Sequence, residues 1–464
     1  MSSNKKIIHA FIVISMLFLS LVVYLTYFQV FRAPSLANDG SNPRTIVNEM
    51  KIKRGDILSS DGEVLATSYM SESGQKRAYP YDNMYSHIIG YTSTRYGRSG
   101  IEKNFNGYIM GTNISGNILN LRNLLSGEDK RGADVILTID HDLQSLSYKL
   151  LGDRKGSIIA IEPESGAIRA MVSKPDFNPN EDTLRENWEK LSSSDESPFL
   201  PRATGGLYQP GSSFKILTAA AATEEGLDGK TFEDEGSVII SGYEFVNYDG
   251  KSLGSTDVDT AFAKSSNVVF TLLADEIGRG KMKNIAERFM MFDKIETDFS
   301  ISQGKGFEST EKTNTAASGM GQGDILVTPM HMALSGCAVA NGGKIMVPYI
   351  VESAAMPSGT NVYTHKEKML SRAIDKEVAE RVGEMMEKCV EFGTGTGAAV
   401  DGIKVAGKTG TAENSGADHA WFVAYAPAEK PEIVVCAMVE NAGNTGGAVC
   451  APMVREIINK WCKR

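Results

Sequence analysis

The chain has 464 residues and a net charge of −9, and 42% of its residues are hydrophobic while 23% are charged. This balance is typical of globular proteins and excludes a disordered, collagen-like or coiled-coil chain. The length predicts about three segments. The 48 lysines and arginines are fewer than the 57 aspartates and glutamates and form no long basic stripe, so no nucleic-acid partner is predicted.

A long apolar segment stands near the beginning of the chain. Residues 7–31 contain no Asp, Glu, Lys or Arg, and a helix needs about 20 such residues to cross a bilayer. A cleaved signal peptide, with a small-residue site at 35–37, is the alternative, but its apolar region would span only about 7–15 residues. We therefore expect a transmembrane anchor. Lys5 and Lys6 precede it, so residues 1–6 are predicted to be cytoplasmic and the rest of the chain extracytoplasmic.

The next segment, residues 32–130, is polar and rich in turns, and it is predicted to be a small strand-based module. Within it, residues 51–65 indicate two strands joined by a turn at 60–62. Its length and polarity argue against a large independent enzyme domain.

From residue 131 onward the pattern is that of a larger mixed domain with a mostly helical middle. The predicted elements are a strand at 135–139, a helix at 143–151 capped by Asp140, a hairpin at 157–161 and 167–172, a helix at 216–225, strands at 420–426 and 433–439, and a helix at 451–462. Strands at both ends with helices between them predict an α/β-type mixed fold whose sheet joins distant parts of the chain.

The cysteines indicate neither a metal site nor a disulfide framework. There are five, none in a C-x-x-C pair, and we expect reduced, mostly buried thiols: Cys337, Cys389, Cys436, Cys450 and Cys462. The chain also lacks H-E-x-x-H, a P-loop and a helix-opening G-x-G-x-x-G. The sequence therefore predicts neither a metal nor a cofactor.

The first candidate for catalysis is an S-x-x-K pattern at Ser212 and Lys215. Pro210 and Gly211 break the preceding chain, so Ser212 stands where a helix begins and where free N–H groups favour negative charge. Lys215 lies one turn later on the same face and could accept the hydroxyl proton if it were desolvated. The alternative is a capping serine with a solvated lysine, since the same spacing occurs at Ser2, Ser3, Ser73, Ser302 and Ser309.

Two further patterns follow in the chain. Ser265 and Asn267 form an S-x-N pattern, which alone could be a helix cap or a polar turn. Lys408, Thr409 and Gly410, followed by Thr411, form a K-T-G pattern, which alone could be an edge-strand lysine before a turn. Together, and in this order, the three patterns are the motif set of active-site-serine enzymes that interact with penicillin.

With these motifs the chain resembles a class B penicillin-binding protein, a membrane-anchored peptidoglycan D,D-transpeptidase. The likeness covers essentially the whole chain and includes the runs at 54–66, 97–102, 160–172, 321–323, 328–329 and 419–422. It implies a β-lactamase/transpeptidase-like domain at 131–464, with an antiparallel sheet packed by helices on both faces. It also implies that residues 32–130 form a small strand-rich pedestal and that residues 7–31 form one transmembrane helix.

The resemblance implies a role for each motif residue. Ser212 would attack the penultimate D-Ala carbonyl of a stem peptide, with Lys215 as the base and Ser265 relaying a proton to the departing nitrogen. Asn267 would bind the substrate amide, Lys408 would supply positive charge near Ser265, and Gly410 would belong to the same substrate-binding motif. Thr409 and Thr411 would hold the terminal carboxylate, and the Ser212 and Thr411 N–H groups would form the oxyanion hole. A β-lactam would acylate the same serine.

Several alternatives remain beside this interpretation. A D,D-carboxypeptidase or β-lactamase of the same fold would use water as acceptor, although no E-x-x-L-N run is present, and a non-catalytic sensor would bind β-lactams or wall fragments. Residues 32–130 do not suit a glycosyltransferase, so the resemblance implies a membrane glycosyltransferase as a separate partner. Ser252 stands in a G-x-S-x-G pattern that would need a strand–turn–helix setting. His419 could be a catalytic base, but no catalytic pattern stands beside it, so it is expected to be a packed residue at a strand end.

Overall fold

The computed structural model describes residues 2–32, 52–71, 74–112, 131–412 and 416–464. The helices of seven or more residues are Ser2–Tyr27, His141–Leu151, Glu181–Ser192, Lys215–Glu224, Val258–Lys264, Asn267–Ile277, Arg279–Arg288, Lys312–Ser318, Pro329–Ala340, Lys376–Glu391 and Gly446–Cys462. The strands are Ile57–Leu58, Val64–Ser71, Gly74–Ala78, Thr92–Ser93, Gly97–Arg98, Asp134–Leu137, Gly156–Ile161, Ile168–Lys174, Thr231–Asp234, Ser237–Ile240, Tyr243–Val246, Gly254–Asp257, Lys344–Met346, Val351–Ala355, Asn361–Thr364, Met369–Arg372, Ala406–Ala412, His419–Ala426 and Ile433–Val439.

A five-stranded antiparallel sheet forms the centre of the larger domain. In spatial order its strands are Ala406–Ala412, His419–Ala426, Ile433–Val439, Gly156–Ile161 and Ile168–Lys174. The sheet therefore joins two segments that lie far apart in the chain, as predicted. The predicted hairpin and the late strand pair are both confirmed. Strand Ala406–Ala412 lies at one edge of the sheet.

Both faces of this sheet are buried, which explains its continuous apolar strands. Alternate residues face opposite sides, so that Val435 packs with one core cluster and Cys436 with another. Helices Gly446–Cys462 and His141–Leu151 cover one face, while Pro329–Ala340 and Lys376–Glu391 are among the helices that cover the other. The predicted antiparallel sheet with helices on both faces is confirmed.

Local signals explain why individual helices begin where they do. The Asp140 side chain accepts a hydrogen bond from the Leu143 N–H at 2.8 Å, which caps the helix predicted there. The middle of the domain is mostly helical from residue 258 onward, as predicted. Residues 231–257 instead form four short strands in two small sheets, and the positive φ angles of four glycines in this segment exclude a continuous helix.

A second, six-stranded sheet lies at the N-terminal module. Its central strands are Val351–Ala355, Asp134–Leu137 and Ile57–Leu58. The predicted strand–turn–strand at 51–65 is confirmed by the pairing of Ile57–Leu58 with Val64–Ser71. The sheet takes strands from both sides of the predicted boundary at 130/131, and that boundary stays a prediction. Part of the module, and the possible cleavage site at 35–37, lie outside the described residues.

A buried ionic cluster organises the same module. Glu102 is fully buried, and its carboxylate accepts hydrogen bonds from Arg54 Nη2 at 2.5 Å and Arg77 Nε at 2.6 Å. Burial alone would raise the pKa of Glu102, but the two guanidinium groups outweigh burial and lower it to about 2. This contact gives the G-I-E run at 100–102 a structural role.

The N-terminal helix Ser2–Tyr27 continues into a short π-helical turn, Phe28–Arg32. By length and composition, Asn4–Tyr27 is long and apolar enough to cross a membrane. The segment predicted as an anchor is thus helical through most of its length.

Candidate active site

Ser212 lies at the entrance of a helix, as its sequence position predicted. It belongs to a 3-10 turn, Gly211–Phe214, that runs directly into helix Lys215–Glu224. Gly211 has a φ of 52°, and a Cβ atom at this position would lie 2.3 Å from the Thr411 carbonyl oxygen. Only glycine therefore allows the serine turn to approach the K-T-G strand this closely.

Lys215 is fully buried, which contradicts the alternative of a solvated lysine. Its Nζ donates hydrogen bonds to the Ser265 carbonyl oxygen at 2.8 Å, to Ser265 Oγ at 3.3 Å and to Asn267 Oδ1 at 2.8 Å. Burial, and then the positive charge of Lys408, lower the pKa of Lys215 well below its usual value. Such a lysine can give up its proton and act as a base.

Ser265 links the two lysines of the site. It ends helix Val258–Lys264 with a φ of 63°, a left-handed conformation that costs a non-glycine residue about 1–2 kcal/mol. Lys408 Nζ donates to Ser265 Oγ at 2.9 Å. Lys408 is also fully buried, and burial lowers its pKa to about 8. The two lysines thus share one hydroxyl.

The K-T-G motif lies on the edge strand Ala406–Ala412, next to the serine turn. A Cβ atom at Gly410 would lie 2.9 Å from the Pro210 carbonyl oxygen and 2.9 Å from Trp421 Cβ. The absence of a side chain at Gly410 therefore lets the strand and the turn pack together. Lys408 does lie on an edge strand, as the alternative proposed, but its side chain is fully buried.

These residues surround one cleft of about 710 Å³. Its lining includes the motif residues Ser212, Ser265, Asn267, Thr409 and Thr411. Lys215 Nζ donates its hydrogen bonds to Ser265 and Asn267, while Ser212 is partly exposed at the cleft. The structure brings together every residue that the sequence patterns singled out for this site.

The sequence analysis missed one side chain of the cleft that contacts the K-T-G motif. Thr394 lines the cleft, and its Oγ1 lies 2.5 Å from Thr409 Oγ1. The run Gly393-Thr394-Gly395-Thr396 could have indicated a turn, but nothing in it indicates which strand the turn approaches.

Neither the rival nucleophile Ser252 nor the rival base His419 is among the residues that line the cleft. Ser252 lies between a 3-10 turn and strand Gly254–Asp257, and its hydroxyl donates to the Asp234 carbonyl oxygen at 2.6 Å. No strand–turn–helix surrounds it, so the nucleophile-elbow alternative is wrong. His419 begins strand His419–Ala426, and its ring packs edge-on against Tyr208. The expectation of a packed strand-end histidine is confirmed.

Comparison with known proteins agrees with this geometry. Residues 156–459 match the model of the penicillin-binding protein transpeptidase domain, and residues 54–135 match that of the penicillin-binding protein A dimerisation domain. The peptidoglycan D,D-transpeptidase PbpA of Mycolicibacterium smegmatis is 32% identical, and the alignment covers 98% of each chain.

Solved structures give the same result. Penicillin-binding protein A of Mycobacterium tuberculosis as a ceftriaxone acyl-enzyme superposes with a TM-score of 0.84 at 29% identity, covering 89% of this chain and 99% of that one. Its penicillin G acyl-enzyme has a TM-score of 0.83 at 29% identity, covering 89% and 100%. Together with the family matches, these likenesses show that the chain belongs to the class B penicillin-binding proteins, the family of peptidoglycan D,D-transpeptidases.

Proposed function

We propose that this protein is a peptidoglycan D,D-transpeptidase that works through an acyl-enzyme on Ser212 and is acylated by β-lactams at the same atom. The observation that carries the proposal is that Ser212 and Ser265 line one cleft, while the buried Lys215 and Lys408 both donate hydrogen bonds to Ser265 Oγ. A relative 32% identical across the chain is named a peptidoglycan D,D-transpeptidase, and related structures are β-lactam acyl-enzymes.

In the acylation step, Lys215 in its neutral form takes the Ser212 hydroxyl proton while Ser212 Oγ bonds to the penultimate D-Ala carbonyl carbon. The low pKa of Lys215 supports this role, because a base must be deprotonated near the working pH. The bond to the terminal D-alanine nitrogen then breaks. That nitrogen receives a proton through Ser265 Oγ, which contacts both lysines.

Substrate binding is assigned to the residues on either side of Ser212. Asn267 hydrogen-bonds the backbone amide of the stem peptide. The hydroxyls of Thr409 and Thr411, with the charge of Lys408, hold the terminal carboxylate. Gly410 provides the close approach of this strand, and the N–H groups of Ser212 and Thr411 stabilise the oxyanion, a contribution of about 2.7–4 kcal/mol per donor in hydrolases.

In the second step an acceptor amine attacks the acyl carbon, the ester bond to Ser212 breaks and the serine recovers its proton. Hydrolysis would require a group that positions and activates water. The acidic side chains among the described residues that line the cleft are Asp249 and Asp418, and neither is buried. This supports amine transfer over the carboxypeptidase and β-lactamase alternatives.

Membrane attachment is part of the same proposal. The predicted anchor 7–31, most of which lies in helix Ser2–Tyr27, would hold the protein in the membrane, with residues 1–6 in the cytoplasm because Lys5 and Lys6 precede the apolar segment. The pedestal 32–130 and the catalytic domain 131–464 would then be extracytoplasmic. Glycan polymerisation would be carried out by a separate membrane glycosyltransferase.

The first experiment tests the nucleophile in the detergent-solubilised full chain. Ser212→Ala should abolish covalent labelling by a fluorescent penicillin and keep the thermal unfolding temperature, because the hydroxyl is needed only for chemistry. Ser252→Ala is the matched control and should be labelled like the wild type. Retained labelling of Ser212→Ala would remove the proposed nucleophile.

The second experiment separates transfer from hydrolysis. With a D-Ala-ended thioester and a suitable D-amino acid, aminolysis should exceed hydrolysis, and the penicilloyl-enzyme should be long-lived. Rapid penicillin hydrolysis at a rate that the added D-amino acid does not change would support the β-lactamase alternative. Failure of the wild type to form any acyl-enzyme would support the non-catalytic sensor.

A further inference from the structure

A buried carboxylate lies behind the S-x-N motif, and the sequence analysis did not single it out. Asp234 ends strand Thr231–Asp234 and is fully buried. Its oxygens accept hydrogen bonds from the Gly236 N–H at 2.9 Å, from Asn247 Nδ2 at 2.8 and 2.9 Å and from Ser266 Oγ at 2.7 Å. Among the described residues none forms a salt bridge with it, and its carboxylate oxygens act as the acceptors in all of these hydrogen bonds.

Asn247 connects this carboxylate to the start of the helix that carries Asn267. Its Oδ1 accepts hydrogen bonds from the Asn267 N–H at 2.7 Å and the Val268 N–H at 3.0 Å. Ser266 Oγ accepts from the Val269 N–H at 3.0 Å. The first N–H groups of a helix have no partner within the helix, so Asn247 and Ser266 together satisfy all three.

The same contacts hold the catalytic geometry. Ser265, directly before this helix start, is in a strained left-handed conformation, which persists only where neighbouring structure fixes it. Asn267 Nδ2 donates to the Val246 carbonyl oxygen at 3.0 Å, while its Oδ1 accepts from Lys215. The position of Ser265 Oγ relative to Lys215 therefore depends on Asp234 through Ser266 and Asn247.

We propose that Asp234 and Asn247 are positioning residues for the acylation step: the Asp234 carboxylate orients Asn247 and Ser266, and these hold Ser265 and Asn267 against Lys215. This inference rests on the proposed function. Asp234 acts through its neighbours and is not itself a catalytic residue, since it is buried behind the motif.

Asp234 also acts on Lys215 electrostatically. Burial and the charge of Lys408 lower the pKa of Lys215, whereas Asp234, and to a smaller extent Cys389, raise it. Removing the Asp234 charge therefore lowers the pKa of Lys215 further. Lys215 then loses its proton at a lower pH, so the acidic limb of the acylation rate moves to lower pH. A purely structural role of Asp234 would leave that limb in place.

The test uses four variants of the detergent-solubilised full chain. Asp234→Asn removes the carboxylate charge. Asn247→Ala removes the side chain that accepts from the first helix N–H groups but keeps the Asp234 charge. The double variant Asp234→Asn with Asn247→Asp exchanges the carboxylate and the amide. Glu233→Gln is the matched control, because it removes an equal charge from the neighbouring, exposed residue. Stopped-flow labelling by a fluorescent penicillin gives the maximal acylation rate and the half-saturating concentration across pH, and thermal unfolding reports the fold.

We expect Asp234→Asn and Asn247→Ala to lower the maximal acylation rate about 100-fold, the loss that a misplacement near 1 Å can cause. The half-saturating concentration should change much less. Only Asp234→Asn should move the acidic limb to lower pH, and Glu233→Gln should match the wild type. The exchanged pair should recover the rate to within about tenfold of the wild type, because the new carboxylate at position 247 can accept from both helix N–H groups and from the new amide at position 234.

Wild-type acylation rates in both single variants would overturn the positioning role, whatever their unfolding temperatures. An unmoved acidic limb in Asp234→Asn would overturn the electrostatic part. If the single variants fail to fold, the exchanged pair decides: a folded protein that stays 100-fold slow would overturn the proposal. Failure of the wild type to be labelled at Ser212 would instead overturn the proposed function, so the two failures are distinguishable.

Discussion

Replacing Lys215 by arginine separates its proposed role as a base from the effect of its positive charge. Arginine keeps the charge and can donate to Ser265 and Asn267, but it does not lose a proton in proteins. Lys215 in the wild type is fully buried and its pKa is well below the usual value, so the neutral amine is accessible. The Lys215→Arg variant removes this form entirely.

The expected loss follows from the usual contribution of a general base, about 10²–10⁴ in rate. At about 1.36 kcal/mol per tenfold, this is about 2.7–5.4 kcal/mol of activation free energy. Lys215→Arg should therefore acylate almost as slowly as Lys215→Ala. Because the site is fully buried, the larger side chain should also cost about 1–3 kcal/mol of stability, which thermal unfolding would measure separately.

The assay is the rate of labelling by a fluorescent penicillin at pH 7, below the unfolding temperature of each variant. Lys230→Arg, on an exposed lysine that pairs with Glu276, is the matched control and should keep the wild-type rate. An arginine variant that acylates within tenfold of the wild type would show that Lys215 acts through its charge, and the assignment of the base would be wrong.

Three other predictions concern the second lysine, the pedestal and the thiols. Lys408→Arg should lose less acylation rate than Lys215→Arg, since the role proposed for Lys408 requires only its positive charge; an equal loss would contradict this. Glu102→Gln should lower the free energy of unfolding by about 3–5 kcal/mol at pH 7, because two guanidinium groups stay buried without their partner, and a loss below about 1 kcal/mol would be inconsistent with that estimate. In the wild type this stabilisation is present above the ordinary glutamate pKa of 4.5 and is lost as pH falls toward 2. Mass spectrometry after alkylation in denaturing, non-reducing conditions should find five modified thiols, and a stoichiometric disulfide would refute the reduced state.

Local patterns in the sequence predicted those parts of the fold that local physics determines. The short apolar runs and the Asp140 cap gave correct elements because strands and helix starts depend on neighbouring residues. The pairing of Val351–Ala355 with Asp134–Leu137 was not predictable in the same way, since it depends on how two distant segments pack. The four strands at 231–257 were not predicted, because their sequences are short and interrupted by glycines.

The candidate site was also only partly predictable from the sequence. Each motif residue was identified from its pattern, and the resemblance supplied the expectation that the patterns meet. Asp234 and Asn247 carry no pattern at all: they are ordinary turn residues in the sequence, and their importance comes from burial and from partners up to 32 residues away. The full burial of Lys408 was equally invisible, because a lysine on an edge strand is usually exposed.

The strand order of the central sheet has a consequence for synthesis of the chain. Strand Gly156–Ile161 is made early, yet one of its two neighbours, Ile433–Val439, is made near the end. At about 5–20 residues per second, the early strand waits on the order of 15–55 s for this partner. An apolar strand edge stays unpaired during that time and can associate with other chains. The serine turn also packs on Gly410 of strand Ala406–Ala412, and a fragment that ends before this strand lacks that contact. We therefore expect the nascent chain not to be acylated by β-lactams until this strand is in place.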